Sequence, residues 1–350
     1  WAETTLDPER VADPNDPDYL LAPGGVDRFL HHNPYSEWYQ NSLATDGTGT
    51  QAYHRDNFGA DFPYTGFKPL FEAGLDAWSA DAWAALFQAA GARYVVMVTK
   101  HHDGYALWPS EVENPHRPGW SSPRDLVGEV THAVRRRCMR MGVYYSGGLD
   151  WSFKPPPITG VLDFVAAPPG QDYADYVDAQ YRELIQRYHP SVLWNDITSP
   201  PLVDARRLFA DYYAAVPDGV VNDRWGLDGT NPSDFRTYEY DVPTDISADK
   251  WEAVRGIGRT FGYNVNETVE QYGTPEKYIR LLIDVVSKNG NLLLNVGPDA
   301  HGTIPAPQVA ILEGLGGWLD TNGEAIFGTH PWTRFAGTTS EDLPVRFTRS

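Results

Sequence analysis

From Ser79 onward the apolar positions of the chain switch repeatedly between helical and strand spacing. Ser79 precedes Ala80–Ala90, whose apolar residues recur at helical intervals, and Gly91 closes that stretch. The run Arg93–Lys100 comes next, dense in β-branched and aromatic residues as in a strand buried on both faces. The same alternation predicts helices over about Leu126–Met141, Tyr173–Tyr188, Val203–Ala215, Pro275–Lys288 and Pro307–Leu319. It predicts strands at Val143–Ser146, Val192–Asp196, Val220–Arg224, Arg236–Tyr240, Gly258–Tyr263 and Asn291–Val296. Residues 1–50, rich in Pro, Asp and Gly, read mainly as loop.

Strands alternating with helices imply a parallel sheet, which is either an open doubly wound sheet or a (β/α)8 TIM-like barrel. Two features favour the barrel. No Gly-rich phosphate turn comes after the first strand. Polar and aromatic residues also collect at many strand ends: His101, His102, Tyr144, Tyr145, Trp194, Asp196, Arg224, Glu239, Phe261 and Asn295. In a barrel all of these would converge on one mouth. Only seven strands are legible, so the first strand of the eight is expected either within the irregular first 60 residues or outside this chain.

Composition narrows the partner. The formal charge of −19 opposes nucleic acid and anionic lipid, both of which call for surplus Lys and Arg. No apolar run reaches the roughly 18 residues of a membrane span. With Cys138 as the single cysteine, an internal disulfide framework and a thiolate metal cluster are both excluded. The 12 Trp and 20 Tyr lean toward carbohydrate, whose C–H faces pack on flat rings, although an aromatic-rich core has the same composition.

Asp196 is the leading candidate for chemistry. It lies two residues after Trp194, so both side chains share one strand face, and a carboxylate there suits attack on an anomeric carbon. The competing reading is a helix N-cap, a role open also to Thr198 and Asp204. A retaining glycosidase needs a second carboxyl at roughly 5–5.5 Å. Glu239, flanked by tyrosines that would desolvate it, is preferred; Glu252, in a segment reading as loop or helix start, is the runner-up, ahead of Glu37, Asp241 and Asp150. His101 and His102 suit hydrogen bonding to a polyol, a structural pair, or a metal site, for which no further ligand stands at a telling interval. Arg224 reads as a clamp for a hydroxyl or carboxylate, or as a barrel salt bridge. Ser146 lacks the Gly-x-Ser-x-Gly context of a nucleophile elbow.

Five segments carry a family resemblance. They are Tyr94-Val-Val-Met-Val-Thr-Lys-His-His-Asp-Gly-Tyr-Ala-Leu-Trp108, Gly142-Val-Tyr-Tyr-Ser-Gly-Gly-Leu-Asp-Trp151, Leu193-Trp-Asn-Asp196, Arg255-Gly-Ile-Gly-Arg-Thr-Phe-Gly-Tyr-Asn264 and Gly290-Asn-Leu-Leu-Leu-Asn-Val-Gly-Pro298. In that order they resemble the α-L-fucosidases of glycoside hydrolase family 29. The resemblance implies a retaining exo-α-L-fucosidase acting on fucosylated oligosaccharides or glycoconjugates, with no metal and no organic cofactor. It places Asp196 as nucleophile and Glu239 as acid/base. Glu37, Trp38, His101, His102, Tyr144, Trp194 and Arg224 fall at fucose-binding positions, with Phe261 near the sugar methyl group. It further implies a catalytic barrel over 1–335 and the start of a C-terminal β-sandwich at 336–350. Trp1 aligns with the end of a motif that lies after the family's first strand, so that strand and its fucose-binding His are expected upstream of this chain. The alternative is a catalytically impaired, carbohydrate-binding fragment of such an enzyme.

Overall fold

The computed structural model describes residues 35–350 except 159, 161, 164, 165, 227, 228 and 230, together with Gly25, Phe29 and Asn33. Trp1 lies outside the described residues.

The fold is of the (β/α) barrel class, with parallel strands inside and helices outside. Strands β1 (Tyr94–Lys100), β2 (Arg140–Ser146), β3 (Val192–Asp196) and β4 (Val220–Val221) run parallel in that spatial order. Strands β5 (Arg236–Glu239), β6 (Trp251–Gly256) and β7 (Gly290–Asn295) form a second parallel set. A parallel bridge between Asn222 and Phe235 links the two sets. Among the described residues, β1 and β7 each have one edge without a strand partner.

The helices form around this arc for local reasons. Helices α1 (Tyr39–Ala44), α2 (Gly49–Phe58) and α3 (Phe67–Gly74) precede β1, as does α4 (Ala80–Ala89). The Ser79 side chain accepts from Ala82 N–H, satisfying an orphan donor at the start of α4, and Gly91 at φ 82° ends it. Helix α5 (Leu126–Arg136) follows β1, α6 (Gln171–Tyr188) follows β2 and α7 (Ala205–Ala215) follows β3. Tyr145, Tyr173, Tyr181, Leu184, Leu193, Leu208 and Tyr212 pack as one buried cluster between α6, α7 and the sheet. Helices α8 (Val269–Tyr272), α9 (Pro275–Ser287) and α10 (Ala306–Asn322) complete the outer layer. At Gly316 a Cβ would run into the Ala89 carbonyl, so α10 can lie against the end of α4 only because that position is glycine. The helices therefore meet where the strand edges do not. Strands β8 (His330–Thr338) and β9 (Pro344–Arg349) form an antiparallel hairpin, and residue 335 falls inside β8.

Several sequence expectations are corrected. The strand expected at Gly258–Tyr263 is instead bend and irregular chain, and the sixth strand is Trp251–Gly256, which includes Glu252. The helix expected over Leu126–Met141 stops at Arg136, because Cys138 takes φ 59° and Arg140–Gly142 already belong to β2. Within residues 1–50, read as loop, α1 and the start of α2 are helical. Thr48 caps α2 by accepting from Gln51 N–H, and the helix buries Thr50 and His54, so no apolar stripe announces it.

Candidate active site

The parallel register places the site. Tyr144 pairs with Trp194 and Ser146 with Asp196 across β2 and β3, so these four side chains share the inner face. Tyr145, expected at the mouth, points the other way: it is fully buried beneath α6, where its hydroxyl donates to Gln180 Oε1 at 2.8 Å. On β1 the register shifts between Val98 and Lys100, so Thr99 is an extra residue. This bulge re-aims the side chains beyond it. Lys100 turns into a fully buried ion pair with Asp150 at 2.8 Å, while His101 and His102 leave the strand with ring centroids 3.8 Å apart.

A stack of flat groups crosses the strand ends. The His101 ring lies 5.6 Å from Tyr144 at 9°, Tyr144 lies 5.4 Å from Trp194 at 22°, and the Arg224 guanidinium sits 4.8 Å over Trp194. The groups pack on one another, and Trp194, 2% exposed, holds Tyr144 and Arg224 in place, with cation–π geometry adding to the rigidity.

Asp196 ends β3 and is 8% exposed. Its Oδ2 accepts from the Tyr144 hydroxyl at 2.6 Å and its Oδ1 from Arg224 Nη1 at 2.9 Å. The N-cap alternative belongs to Asp204, which accepts from Arg207 N–H at the start of α7. Ile197, next in the chain, holds φ 69°, a conformation costing on the order of 1–3 kcal/mol for a β-branched residue. The chain thus turns sharply behind the carboxylate.

Arg224 joins both carboxyl candidates. Its Nη2 donates to Glu239 Oε2 at 2.9 Å while Nη1 holds Asp196. Burial favours deprotonation of this guanidinium, but the charges of Glu239 and Asp196 outweigh it and raise its pKa above the ordinary Arg value. Its Nε donates to Thr237 Oγ1 at 3.0 Å, and that hydroxyl donates to Asp223 Oδ1 at 2.8 Å, fixing the guanidinium plane. Asn195 and Asn222 lock β3 to β4 beneath it, through Asn195 N–H to Asn222 Oδ1 and Asn222 Nδ2 to the Asn195 carbonyl.

Glu239 is not desolvated by its flanking tyrosines: its side chain is 40% exposed. Tyr238 turns to Trp251 and Tyr240 to Phe261, leaving the carboxyl between them open to solvent. The remaining carboxyl candidates are placed elsewhere. Glu252, the runner-up, is 3% exposed within the barrel and accepts from Trp194 Nε1 at 2.8 Å, so it lies behind the aromatic stack. Asp150 is sealed against Lys100, and exposed Asp241 accepts from its neighbour Val242 N–H at 2.8 Å.

Ser146 has a role that its sequence context did not suggest. Its hydroxyl donates to the Leu149 carbonyl at 2.7 Å, so toward His102 Nδ1, also at 2.7 Å, it can only accept. His102 Nδ1 therefore carries the hydrogen and Nε2 is left as an acceptor. Burial lowers the His102 pKa well below the ordinary value and brings that of His101 to about 4, so both rings are neutral at neutral pH. Trp38 and Trp151 make T-shaped contacts with the His102 ring, at centroid distances of 5.3 and 5.7 Å. His101 Nδ1 is buried with no hydrogen-bond partner among the described residues. Among the described residues no three His, Cys, Asp or Glu side chains are grouped to hold a metal ion.

Glu37 is tied to the loop that carries Phe261, which packs on the cluster holding Trp194. Gly262 N–H donates to Glu37 Oε2 at 3.0 Å, and Phe261 lies 6.0 Å from Tyr35 and 5.3 Å from Tyr240. Asn295 Nδ2 donates to the Phe261 carbonyl at 2.6 Å, anchoring this loop to β7. Burial, with a smaller push from the charge of Glu239, raises the Glu37 pKa from 4.5 to about 7. The folded protein thus holds this proton more tightly than the unfolded chain does. The associated stability is fully present below pH 4.5 and is lost as the pH rises through about 7. Glu37→Gln removes this dependence. The stability difference between wild type and variant is expected to move against wild type by up to about 3 kcal/mol between pH 4.5 and 8, measured by denaturant unfolding at both pH values; a constant difference would contradict it.

Comparisons with known proteins bear on the family of the chain. A family model described as Alpha-L-fucosidase matches residues 23–324. The chain is similar to an alpha-L-fucosidase of Dictyostelium discoideum, 35% identical over 315 residues, covering 85% of this chain and 66% of that protein. It is similar to the tissue alpha-L-fucosidase of Bos taurus, 35% identical over 297 residues, covering 81% and 61% respectively. The chain thus spans less than two-thirds of the length of these curated relatives. Among solved structures it resembles a Thermotoga maritima alpha-fucosidase in complex with a mechanism-based inhibitor, with a TM-score of 0.85 and 45% identity over 93% of this chain and 75% of that one.

Proposed function

The chain belongs to the alpha-L-fucosidase family, and on that premise we propose that it hydrolyses terminal α-L-fucosyl residues of glycans or glycoconjugates with retention of configuration. The observation that carries this reading is Arg224, which gives one amino group to Asp196 and the other to Glu239. Two carboxyls sharing one guanidinium favour the short separation of retaining enzymes, about 5–5.5 Å, over the wider gap that seats an attacking water.

In the proposed reaction an Asp196 oxygen attacks the anomeric carbon while the bond from that carbon to the leaving oxygen breaks. Glu239, as the acid, passes its proton to the leaving oxygen. Glu239, now a carboxylate, then takes a proton from water, whose oxygen displaces Asp196 from the anomeric carbon and frees fucose. When Asp196 loses its charge by esterification, Glu239 gains one by giving up its proton. From the point where Glu239 carries the proton it donates, Arg224 faces one carboxylate charge through both steps, without moving, which is electrostatic preorganisation. Tyr144, bonded to Asp196, would hold the nucleophilic carboxylate in orientation. Neutral His101 and His102, with Glu37 and Trp38, would bind ring hydroxyls, and Phe261 would meet the sugar methyl group. Trp194, buried against Tyr144 and Arg224, would hold those two groups in place beside the sugar.

Hydrolysis of an aryl α-L-fucoside monitored by proton NMR tests the reading. The α anomer of fucose should form first and mutarotate afterwards; β-fucose first would overturn it. A second expectation concerns Ser146→Ala, which frees His102 to choose its tautomer. KM should rise about tenfold with kcat changed less, as expected for a binding hydrogen bond worth about 1.4 kcal/mol, measured by steady-state kinetics on the same substrate.

A further inference from the structure

Glu252 is a carboxylate in an unusual place. It sits on β6 between Thr237 of β5 and Asn291 of β7, 3% exposed, with no cation bonded to it among the described residues. Its Oε1 accepts from Trp194 Nε1 at 2.8 Å and its Oε2 from the Tyr94 hydroxyl at 2.5 Å. It thereby spans the barrel interior from β6 to β3 and β1. Burying an ionisable group carries a large desolvation cost unless the surroundings compensate it, and here the compensating donors are the Tyr94 hydroxyl and the Trp194 indole, whose orientation the carboxyl fixes in turn. That indole is the surface on which Arg224 rests, 4.8 Å away, and against which Tyr144 stacks. Arg224 and Tyr144 are the two groups that bond Asp196.

We infer that Glu252 is a positioning residue, which fixes the rotation of Trp194 and through it the placement of Arg224 and Tyr144 around Asp196. The inference rests on the proposed fucosidase reaction. It differs from an acid/base role for Glu252 in a way that chemistry can separate. An acid/base residue must exchange a proton, which an amide does not do. A positioning residue needs only its acceptor geometry. In Glu252→Gln the amide oxygen still accepts from Trp194 Nε1, and the amide nitrogen donates to the Tyr94 hydroxyl, which accepts equally well. In Glu252→Leu both partners lose their acceptor.

The test uses the wild-type chain and four variants on an aryl α-L-fucoside: Glu252→Gln, Glu252→Leu, Trp194→Phe and Trp194→Phe with Glu252→Leu. Glu252→Gln should keep kcat/KM within about threefold of wild type, with both limbs of the pH profile unmoved. Glu252→Leu should lose about 10²-fold, the usual effect of a small displacement of catalytic groups. In the Trp194→Phe background, which already lacks the indole donor, Glu252→Leu should cost less than about fivefold more. Loss of activity in Glu252→Gln with a displaced pH limb would overturn the inference in favour of proton transfer. Full additivity in the double variant would overturn it in favour of a role unconnected with Trp194. An inactive wild type would instead refute the fucosidase reading, so the two failures are distinguishable. Should Glu252→Leu not fold, the Glu252→Gln profile alone separates positioning from proton transfer.

Discussion

Asp196→Gly is expected to lower kcat/KM on an aryl α-L-fucoside by roughly 10⁴-fold, about 5.4 kcal/mol of transition-state stabilisation. The change removes the proposed attacking oxygen and also leaves Tyr144 and Arg224 without their carboxylate partner. It opens a carboxylate-sized space beside a guanidinium, which a small anion can fill. Azide should therefore restore turnover and yield β-L-fucosyl azide, because attack comes from the side that Asp196 held. Steady-state rates with and without azide, with product analysis, check both parts. A variant that stays inactive in azide while folded, or a loss below about tenfold, would mean that Asp196 supports the site without reacting.

Glu239→Gln should show a loss that depends on the leaving group. On a sugar leaving group, which needs the proton, the fall should be roughly 10² to 10⁴-fold. On α-L-fucosyl fluoride, whose leaving group needs little proton assistance, the first step should fall far less. Glutamine keeps a hydrogen-bonding oxygen for Arg224 Nη2, so the guanidinium stays near its place and the comparison isolates proton transfer. Equal losses on both substrates would point to a positional role for Glu239 and would reopen the search for the acid.

How much of the fold the sequence made legible depends on the strength of each local signal. The inner face of β3 was readable because Trp194 and Asp196 are two residues apart in a short, fully buried strand. Helix ends were readable where a side chain or glycine carries the cap, as at Ser79 and Gly91. Strand β6 was hidden because Trp251-Glu-Ala-Val-Arg-Gly256 places charged residues at positions that a buried strand normally fills with apolar ones. Glu252 there points inward onto Trp194, a contact between residues 58 apart in the chain. The neighbouring Gly258–Tyr263 attracted the strand reading through its aromatic residues, yet Gly258 at φ 103° breaks extended pairing. The helix end at Arg136 was missed because Cys138, not glycine, takes the left-handed conformation. Tyr145 reads as a mouth residue because adjacent residues look alike in sequence, whereas β2 sends Tyr144 inward and Tyr145 under α6. Ser146 carried no motif, and its part in setting the His102 tautomer emerges only once Leu149 is seen to take its hydrogen.

In the proposed reaction Asp196 becomes covalently attached to the anomeric carbon. A 2-deoxy-2-fluoro-α-L-fucosyl reagent with a good leaving group slows the second step more than the first and lets the ester accumulate. Peptide mapping by mass spectrometry after proteolysis then locates the label. One fluorofucosyl unit per chain is expected, on the Asp196 side chain. A label on Glu239, Glu252 or Glu37, or turnover of the reagent without any covalent adduct, would contradict it.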